Sequence, residues 1–417
     1  MSVQKSSLVR FFLTLPEPFP VPDGHVFHGV PGTYDENTPP QLVVHLRFLQ
    51  SQETSRRYGS FAAAVTATRR LRASSGADAE ESYGELRGQY TTVVATTLEI
   101  DFNNQGDSWE SPQDVPGERD ALNRCLLVTS EIIRSYRVAY GISCLVPTYE
   151  LLNFAVPFQK AAEIVVTEDG VDGFHFDDAD WGEVGILTLD HFNLPDVPQG
   201  DEIDVRDGRV GYFGELLNMK SPLFFWLERF VEARRAFAVE GQYGAAVTLS
   251  NTASEVLLDS LLASLYWEVG KTPEDVATIF TEGRLAKRVK THFSELLGGE
   301  WVLDGSGPVA DWFHKCYKVR HRVVHGGYSP TRLEAKAALD SVLALSDYCW
   351  DRIATNRKKF PRIAMMTLSK DGLVARGKWC NFMKKFAAEV APNEDSWLRQ
   401  SDAWRNAVYA ILMADEQ

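Results

Sequence analysis

Cysteine is scarce in this sequence, and the few thiols present are far apart. Among 417 residues there are five, namely Cys125, Cys144, Cys316, Cys349 and Cys380. No two of them form a CxxC pair, which excludes a zinc ribbon. Their odd number and wide spacing disfavour a disulfide framework, so the composition predicts a protein of a reducing cytoplasm.

Long apolar runs are also missing. No apolar stretch approaches the roughly 18 residues that a membrane-spanning helix needs. Near the N-terminus the apolar segment 9–15 is interrupted by Arg10 and Thr14, and no small-residue cleavage site follows it. The sequence therefore predicts neither a transmembrane helix nor a signal peptide, and no membrane partner.

Motifs that mark cofactor or nucleotide chemistry are absent. The sequence contains no GxxxxGKS/T loop, no GxGxxG after a predicted strand, no GxSxG elbow and no HExxH pair. His25, His28 and His45 lack a cysteine or carboxylate at a spacing suited to a shared metal. We therefore expect neither a cofactor nor a bound metal.

Positive charge is in deficit over the chain as a whole. Lysine and arginine number 43 against 57 acidic residues, a formal net charge of −14. Such a chain repels phosphate backbones, which argues against a non-specific nucleic-acid-binding protein. The acidity is concentrated in segment 168–207, which has thirteen carboxylates and a single base, Arg206. This segment also contains Pro195 and Pro198, and it is predicted to be a linker between two domains.

The residues before this linker are rich in valine, threonine, phenylalanine and tyrosine, and clusters of Pro, Gly, Asn and Asp divide them into short runs. This pattern predicts a β-rich domain over 1–207 with one long helix at about 117–140. The predicted strands are 8–15, 25–30, 41–48, 89–102, 143–149, 162–167 and 184–189. The domain carries no catalytic motif, and we expect it to be a sensor or recognition module.

After the linker, apolar residues recur with helical periodicity, which predicts an all-α domain over 208–357. Gly326 and Gly327 are expected to end one helix, and Thr331 with Glu334 forms a capping box at the start of the next. The predicted helices are 222–240, 244–269, 273–298, 308–325 and 331–355.

The remaining residues, 358–417, are predicted to form a short α/β tail. A Lys-Asp-Gly turn at 370–372 suggests a strand pair, 362–368 and 372–376. Helices are expected after it at 378–390 and 395–413. The predicted fold class of the whole chain is α+β.

The most informative segment is the end of the fourth predicted helix, where Arg320, His321, Arg322 and His325 fall within six residues. The C-terminal turn of a helix favours cations; histidine there suits proton transfer, and arginine suits phosphate. His321 and His325 share one face, but Arg320 and His325 lie about 140° apart. They meet on one phosphate only if Arg320 reaches around the helix or if two copies line one cleft, as in a dimer.

The segment from Tyr317 to Gly327 resembles the signature of the HEPN superfamily, in particular its Apea-like branch. That signature is an arginine, a polar residue and, a few positions later, a histidine at the end of a helical domain. The resemblance covers roughly 220–356, and the upstream helix with Glu255 is similar to the family's helix bearing an acidic residue near the active centre. The family most often has asparagine after the arginine, and His321 is a departure from it.

The resemblance implies a metal-independent endoribonuclease, in which the 2′-hydroxyl of RNA attacks the adjacent phosphate and leaves a 2′,3′-cyclic phosphate. On this basis His325 is the general acid or base and Arg320 holds the phosphate. His321 assists, and Glu255 orients Arg320 or His325. The resemblance also implies a homodimer through the helical domain and a role in bacterial antiviral abortive infection, with a phage-derived trigger or an antitoxin as further partners.

Local charge agrees with an RNA substrate. Segment 284–336 holds ten bases and five acids, so it is positively charged within an acidic chain. Lys318 and Arg322 flank the motif and are either RNA contacts or solvated side chains. A second set of bases forms either a phosphate-binding patch or the solvated face of a helix. Its members are Arg284, Lys287, Arg288 and Lys290.

The sequence alone leaves several functions open. The first is a homodimeric ribonuclease whose N-terminal half senses a signal. The second is a non-catalytic HEPN scaffold that binds RNA, a nucleotide or a protein partner. The third is a toxin restrained by a separate antitoxin. A solvated basic helix end is the remaining interpretation of Arg320 and His325.

Overall fold

The computed structural model describes residues 4–30, 43–53, 59–74, 89–99, 120–161, 164–166, 179–189, 203–218, 221–282, 284–390 and 394–415. The chain forms two compact units, of which the first comprises 1–195 with 239–241 and the second 196–238 with 242–417. The first contains an antiparallel sheet and the second is helical, which confirms the predicted α+β class. The tail 358–417 belongs to the second unit.

In the first unit, the described residues contain seven strands in one sheet. They are β1 Gln4–Thr14, β2 Val26–Gly29, β3 Val44–Ser51, β4 Tyr90–Glu99, β5 Ala155–Lys160, β6 Ile164–Val166 and β7 Gly185–Thr188. The order is β2-β3-β4-β1-β5-β7, with β6 paired to the start of β1, and every pairing is antiparallel. The long β1 therefore lies inside the sheet, between β4 and β5.

Helices cover both faces of this sheet. Because side chains alternate along a strand, β1 divides its apolar residues between the two faces. Val9 and Phe11 are buried on the face covered by α2 (Ala121–Tyr140). Phe12 is buried on the opposite face, against α1 (Gly59–Ser74). The sheet thus has two apolar faces, which explains why its central strands lack polar alternation.

The structure corrects the sequence prediction of this unit in two places. Segment 143–149 is not a strand; it leads into a short 3₁₀ helix, Tyr149–Leu151, and the paired strand is β5. Helix α1 was not predicted, because the sequence pattern indicated only one helix in this unit, at about 117–140. Its buried face consists largely of alanines such as Ala64 and Ala67, which give little apolar contrast from which a period could be read.

The second unit is built from helices around the long, central α5. Its helices are α3 Ile203–Asn218, α4 Pro222–Ala238, α5 Tyr243–Glu268, α6 Pro273–Glu282, α7 Leu285–Arg288, α8 Ser294–Leu297, α9 Pro308–Trp312, α10 Lys318–Gly326, α11 Arg332–Thr355, α12 Pro361–Ala375, α13 Asn381–Val390 and α14 Glu394–Asp415. Two π-helical turns, Val289–Phe293 and Phe313–Tyr317, join α7 to α8 and α9 to α10. The predicted helix 273–298 is therefore a series of shorter elements.

The predicted helix boundaries around residue 327 are confirmed. Gly327 follows α10 in the left-handed conformation, with φ +62°, which L-residues disfavour. At the start of α11 the Thr331 hydroxyl accepts from the Glu334 N–H at 3.2 Å. In return, the Thr331 N–H donates to the Glu334 carboxylate at 2.9 Å, which completes the capping box.

The prediction of a strand pair at 362–368 and 372–376 is wrong, because these residues form α12 in a tail whose described elements are all helical. The N-terminus of α12 is capped by Glu268 of α5, whose carboxylate accepts from the N–H groups of Arg362 at 2.6 Å and Ile363 at 2.9 Å. The predicted turn coincides with a kink inside α12, where Ser369 has φ +55°. A real break is therefore present, but it separates helical segments.

Most of the predicted acidic linker lies outside the described residues, which omit 167–178 and 190–202. Its final residues belong to the first turn of α3. Over the part of the chain that the structure describes, no helix combines the length and the apolar character required to cross a membrane.

Candidate active site

The candidate site lies on a helical rod formed by α9, the π turn Phe313–Tyr317 and α10. The rod ends where the N–H groups of Gly327 and Tyr328 both donate to the carbonyl of Arg322. His325 is in this last turn, at the C-terminal end of the rod.

One face of the rod packs against α5 and fixes its rotation. Trp312 is fully buried and donates its indole N–H to the hydroxyl of Ser254 at 2.8 Å. Farther along, a side chain added at Gly244 would meet Val323 Cγ1 at 3.7 Å, so α5 and the rod run antiparallel. Cys316 is buried between these two contacts.

His321 and His325 lie on the exposed side of the rod, as their spacing predicts. Their ring centroids are 4.5 Å apart and the ring planes meet at 50°. Both residues are exposed, and among the described residues neither forms a hydrogen bond or an ion pair. The two imidazoles are therefore accessible to a bound molecule.

Arg320 is half-buried and unpaired within the part of the chain that the structure describes. Its Nε is buried without a hydrogen-bond partner, and no carboxylate lies within ion-pair distance of its guanidinium. A buried donor left without an acceptor costs about 1–3 kcal/mol. Because arginine binds phosphate through two parallel N–H groups, this residue is suited to an anionic ligand.

Arg322, two residues later, is engaged in contacts within the chain. Its guanidinium lies 3.2 Å from the carboxylate of Glu334 and 4.2 Å from the ring centroid of Tyr328. The Tyr328 hydroxyl also donates to Glu334, at 2.8 Å. These contacts join the end of α10 to the start of α11, so the predicted RNA contact of Arg322 would have to compete with them.

The Glu334 carboxylate at this junction is held in its charged form. Burial by itself raises the pKa of Glu334. Hydrogen bonds from the Thr331 N–H and from the side chains of Tyr328, Arg322 and Thr331 outweigh burial, so the net pKa is below its usual value. The capping box and the Arg322 contact thus depend on the same ionised group.

Glu255 and its neighbour on α5 form a polar pair beneath the rod. The Asn251 side-chain amide donates to the Glu255 carboxylate at 2.9 Å, and Asn251 is fully buried. Glu255 makes no ion pair with Arg320 among the described residues, and its role in orienting Arg320 or His325 stays a prediction. Asn251 is not among the residues predicted from the sequence. The sequence signal for it is an asparagine four residues before Glu255, which places both on one face of a helix.

Cys316 is a core side chain with a buried thiol. Burial, and next the nearby charge of Glu255, raise the pKa of its thiol far above the usual range. Because the thiol is fully buried, a substrate cannot reach it. Ser254, the residue before Glu255, bonds to Trp312, so this part of α5 lies beside the rod.

The second predicted patch of bases separates into one structural residue and several exposed ones. Arg288 is 9% exposed and forms a two-pronged pair with Asp259, with Nη2 2.7 Å from Oδ2 and Nε 3.0 Å from Oδ1. It therefore contributes to the core, and its predicted contact with phosphate is corrected. Arg284, Lys287 and Lys290 are exposed, and their RNA contact stays a prediction.

Lys318 is exposed at the start of α10. Its ammonium lies 3.3 Å from Nδ1 of His314 and 5.0 Å from the ring centroid of Phe313. These contacts are on the surface, so Lys318 is accessible to a ligand that approaches the motif.

The described residues contain no group of three or more His, Cys, Asp or Glu side chains placed to hold a metal ion. In the first unit, Nδ1 of His45 lies 2.8 Å from Nε2 of His28, so these two imidazoles hydrogen-bond to each other across β2 and β3.

Comparison of the chain with protein-family models, with curated proteins and with solved structures finds no match.

Proposed function

We propose that the chain is a metal-independent endoribonuclease of HEPN type. In this proposal it is a cytoplasmic effector of a bacterial antiviral, abortive-infection or toxin system, and its N-terminal unit is the sensor. The substrate is RNA, and the helical unit forms a homodimer.

A single observation supports this proposal most strongly, namely the unpaired, half-buried guanidinium of Arg320 on the same helix as two exposed imidazoles. Acidic residues outnumber basic ones 57 to 43, yet no described carboxylate pairs with this arginine. A guanidinium kept free in an acidic chain is suited to an external anion, and the imidazoles suit proton transfer to and from it.

The chemistry needs one bond formed and one broken at phosphorus. The 2′-oxygen attacks, its proton passes to an imidazole, and the new bond to phosphorus closes the 2′,3′-cyclic phosphate. The bond from phosphorus to the 5′-oxygen breaks, and a protonated imidazole supplies the proton that this oxygen takes up. His325 fills one of these roles with assistance from His321, and Arg320 stabilises the charge on the non-bridging oxygens.

The angle between the two central residues supports the homodimer, unless Arg320 reaches around the helix. Arg320 is half-buried, and His325 lies about 140° around the same helix. A second copy of α10 opposite the first would bring one protomer's histidine toward the phosphate that the other protomer's arginine binds. The dimer is therefore part of the same proposal.

The decisive experiment incubates the purified protein with end-labelled RNA in EDTA. We expect cleavage with 2′,3′-cyclic phosphate ends, and loss of cleavage in the variants His325→Ala and Arg320→Ala. His314→Ala is the matched control, because His314 is an exposed histidine on the same rod but precedes the motif. Variants of His325 and Arg320 that cut as well as the wild type would reject the proposal.

The second candidate is a non-catalytic scaffold that binds RNA, a nucleotide or a protein partner. The observation that favours it is His321 at the position where the family most often has asparagine. The same assay separates the two candidates, because a scaffold binds labelled RNA and releases no fragments. A toxin restrained by an antitoxin is recognised by growth arrest on expression that a neighbouring gene product relieves.

A further inference from the structure

We propose that Asn251 is a positioning residue for the active site, and that its side-chain oxygen accepts a hydrogen bond from Nε of Arg320 when a phosphate is bound. The inference rests on the proposed function. It assigns a role to a residue outside the motif and explains how the guanidinium is aimed.

The first observation concerns the direction of the Asn251 amide. Its nitrogen donates to Glu255 at 2.9 Å, and because a carboxylate only accepts hydrogen bonds, the amide nitrogen must be on that side. The oxygen of Asn251 therefore points away from Glu255. That oxygen is buried in a fully buried residue and has no hydrogen-bond partner.

The second observation is a complementary group on the facing helix. The Nε of Arg320 is a buried donor without a partner, just as the oxygen of Asn251 is a buried acceptor without one. Buried polar groups are paired in more than about 90% of cases, so an unpaired acceptor and an unpaired donor in one helical unit need an explanation.

The register of the two helices brings these groups toward each other. Trp312 bonds to Ser254 and Val323 faces Gly244, so the turn with Cys316 lies opposite the turn with Asn251. Side chains on a helix lean toward its N-terminus, which directs Arg320 back along the rod toward Cys316. Asn251 and Glu255 flank Ser254, which bonds to Trp312, so their pair lies on the stretch of α5 that runs beside the rod.

A neutral amide is a suitable partner for orienting the Arg320 guanidinium toward a phosphate. A carboxylate at the same place would form an ion pair with Arg320 and reduce its attraction for phosphate. An amide oxygen fixes the direction of Nε and leaves the whole positive charge, and the outward N–H groups, for the ligand. Glu255 in turn fixes the orientation of the amide, which gives the acidic residue an indirect role behind Arg320.

The test measures binding, cleavage and stability of the full chain in parallel. The binding probe is a fluorescent 2′-O-methyl RNA oligonucleotide, which lacks the attacking hydroxyl, and the substrate is the ribose form of the same sequence. The variants are Asn251→Leu, Arg320→Ala and their double mutant. Asn251→Ala is made as well, since alanine cannot overpack the site, and Ser250→Ala is the matched control because its hydroxyl bonds only within α5.

We expect Asn251→Leu to lower both affinity and kcat/KM by roughly ten- to a hundredfold, the scale for groups that orient a reacting residue. In the Arg320→Ala background the same change should have no further effect. The Tm should be equal to or above that of the wild type, because the substitution removes a buried acceptor without a partner. Ser250→Ala should leave binding and cleavage unchanged.

Unchanged binding in both Asn251 variants, or an equal loss with and without Arg320, overturns the inference. A fall in Tm that matches the loss of binding points to a structural role and also overturns it. Wild-type protein that binds the oligonucleotide through Arg320 but never cuts the ribose form contradicts the ribonuclease proposal, and Asn251 is then judged on binding alone. Protein that neither binds nor cuts contradicts both.

Discussion

The imidazole rings of His321 and His325 lie 4.5 Å apart at the exposed end of α10, and neither ring is bonded to another described residue. Proton transfer in RNA cleavage needs a group that takes a proton and a group that gives one. Two free imidazoles at this distance can act on neighbouring oxygens of one phosphodiester. We therefore expect substitutions of His325 and of His321 to affect RNA cleavage differently.

His325→Ala is expected to lower kcat for cleavage of a labelled RNA by about 10²- to 10⁴-fold, the usual contribution of a positioned general acid or base. Binding of the uncleavable 2′-O-methyl oligonucleotide should change little, because Arg320 still holds the phosphate. Single-turnover cleavage and fluorescence anisotropy provide the two measurements. Equal losses of binding and cleavage would assign His325 to ligand binding instead of proton transfer.

His321→Asn supplies the residue that the family resemblance leads us to expect after the arginine. We expect this variant to cleave RNA at a rate close to that of the wild type, whereas His321→Ala should be slower. An asparagine retains a polar group that can bond to phosphate, and alanine does not. Both rates are measured at saturating RNA; equal activity of the two variants would show that His321 has no role.

Glu334→Gln is expected to destabilise the helical unit by about 0.3–1 kcal/mol at neutral pH, the range for a charge near a helix N-terminus, because glutamine can still complete the capping box but carries no charge for Arg322. The pKa of Glu334 is lowered in the folded chain, so its stabilising effect is present above the unfolded-state pKa and lost as pH falls through the folded-state pKa. The difference between wild type and variant in urea unfolding should therefore shrink on acidification. Glu300→Gln is the control, since the Glu300 side chain is exposed; a difference independent of pH would contradict this expectation.

The elements that could be predicted from sequence are those whose signals are local. Gly327 ends α10 and the Thr331–Glu334 box starts α11 because both motifs satisfy helix-end groups within a few residues. The helix α12 could not be predicted, because its cap is Glu268, a residue of another helix far away in sequence. The turn signal at 370–372 lies next to the break at Ser369, but the break separates two helical segments and not two strands.

The candidate site likewise combines features that local sequence predicts with features that depend on contacts distant in sequence. The exposed pair His321 and His325 follows from helical spacing, whereas the pairing state of each arginine does not. Arg288 and Arg320 are equivalent in a count of bases, yet Arg288 is paired with Asp259 and Arg320 is free within the described residues. The π turn Phe313–Tyr317 adds to the difficulty, because an i→i+5 turn changes the rotation of every residue after it and has no simple sequence signal.

Arg288→Ala is expected to reduce the free energy of unfolding by about 2–3 kcal/mol, because it leaves Asp259 partly buried without its charged hydrogen-bond donor. Burial raises the pKa of Asp259 and Arg288 opposes this effect, so the variant should also take up a proton near Asp259 more readily. Urea unfolding at neutral pH measures the loss. Lys287→Ala is the matched control from the adjacent exposed position, and a loss below about 0.5 kcal/mol is expected for it.

Lys287→Ala should instead weaken RNA binding, if the exposed bases before α8 follow the phosphate backbone. Removing one phosphate-binding charge reduces the slope of log affinity against log salt by about 1. The expected result is lower affinity for the 2′-O-methyl oligonucleotide at low salt, a shallower salt dependence and an unchanged Tm. The measurement is fluorescence anisotropy at several salt concentrations, with Lys384→Ala on the exposed surface of α13 as the control. An unchanged slope in Lys287→Ala would show that this patch is only the solvated surface of its helix.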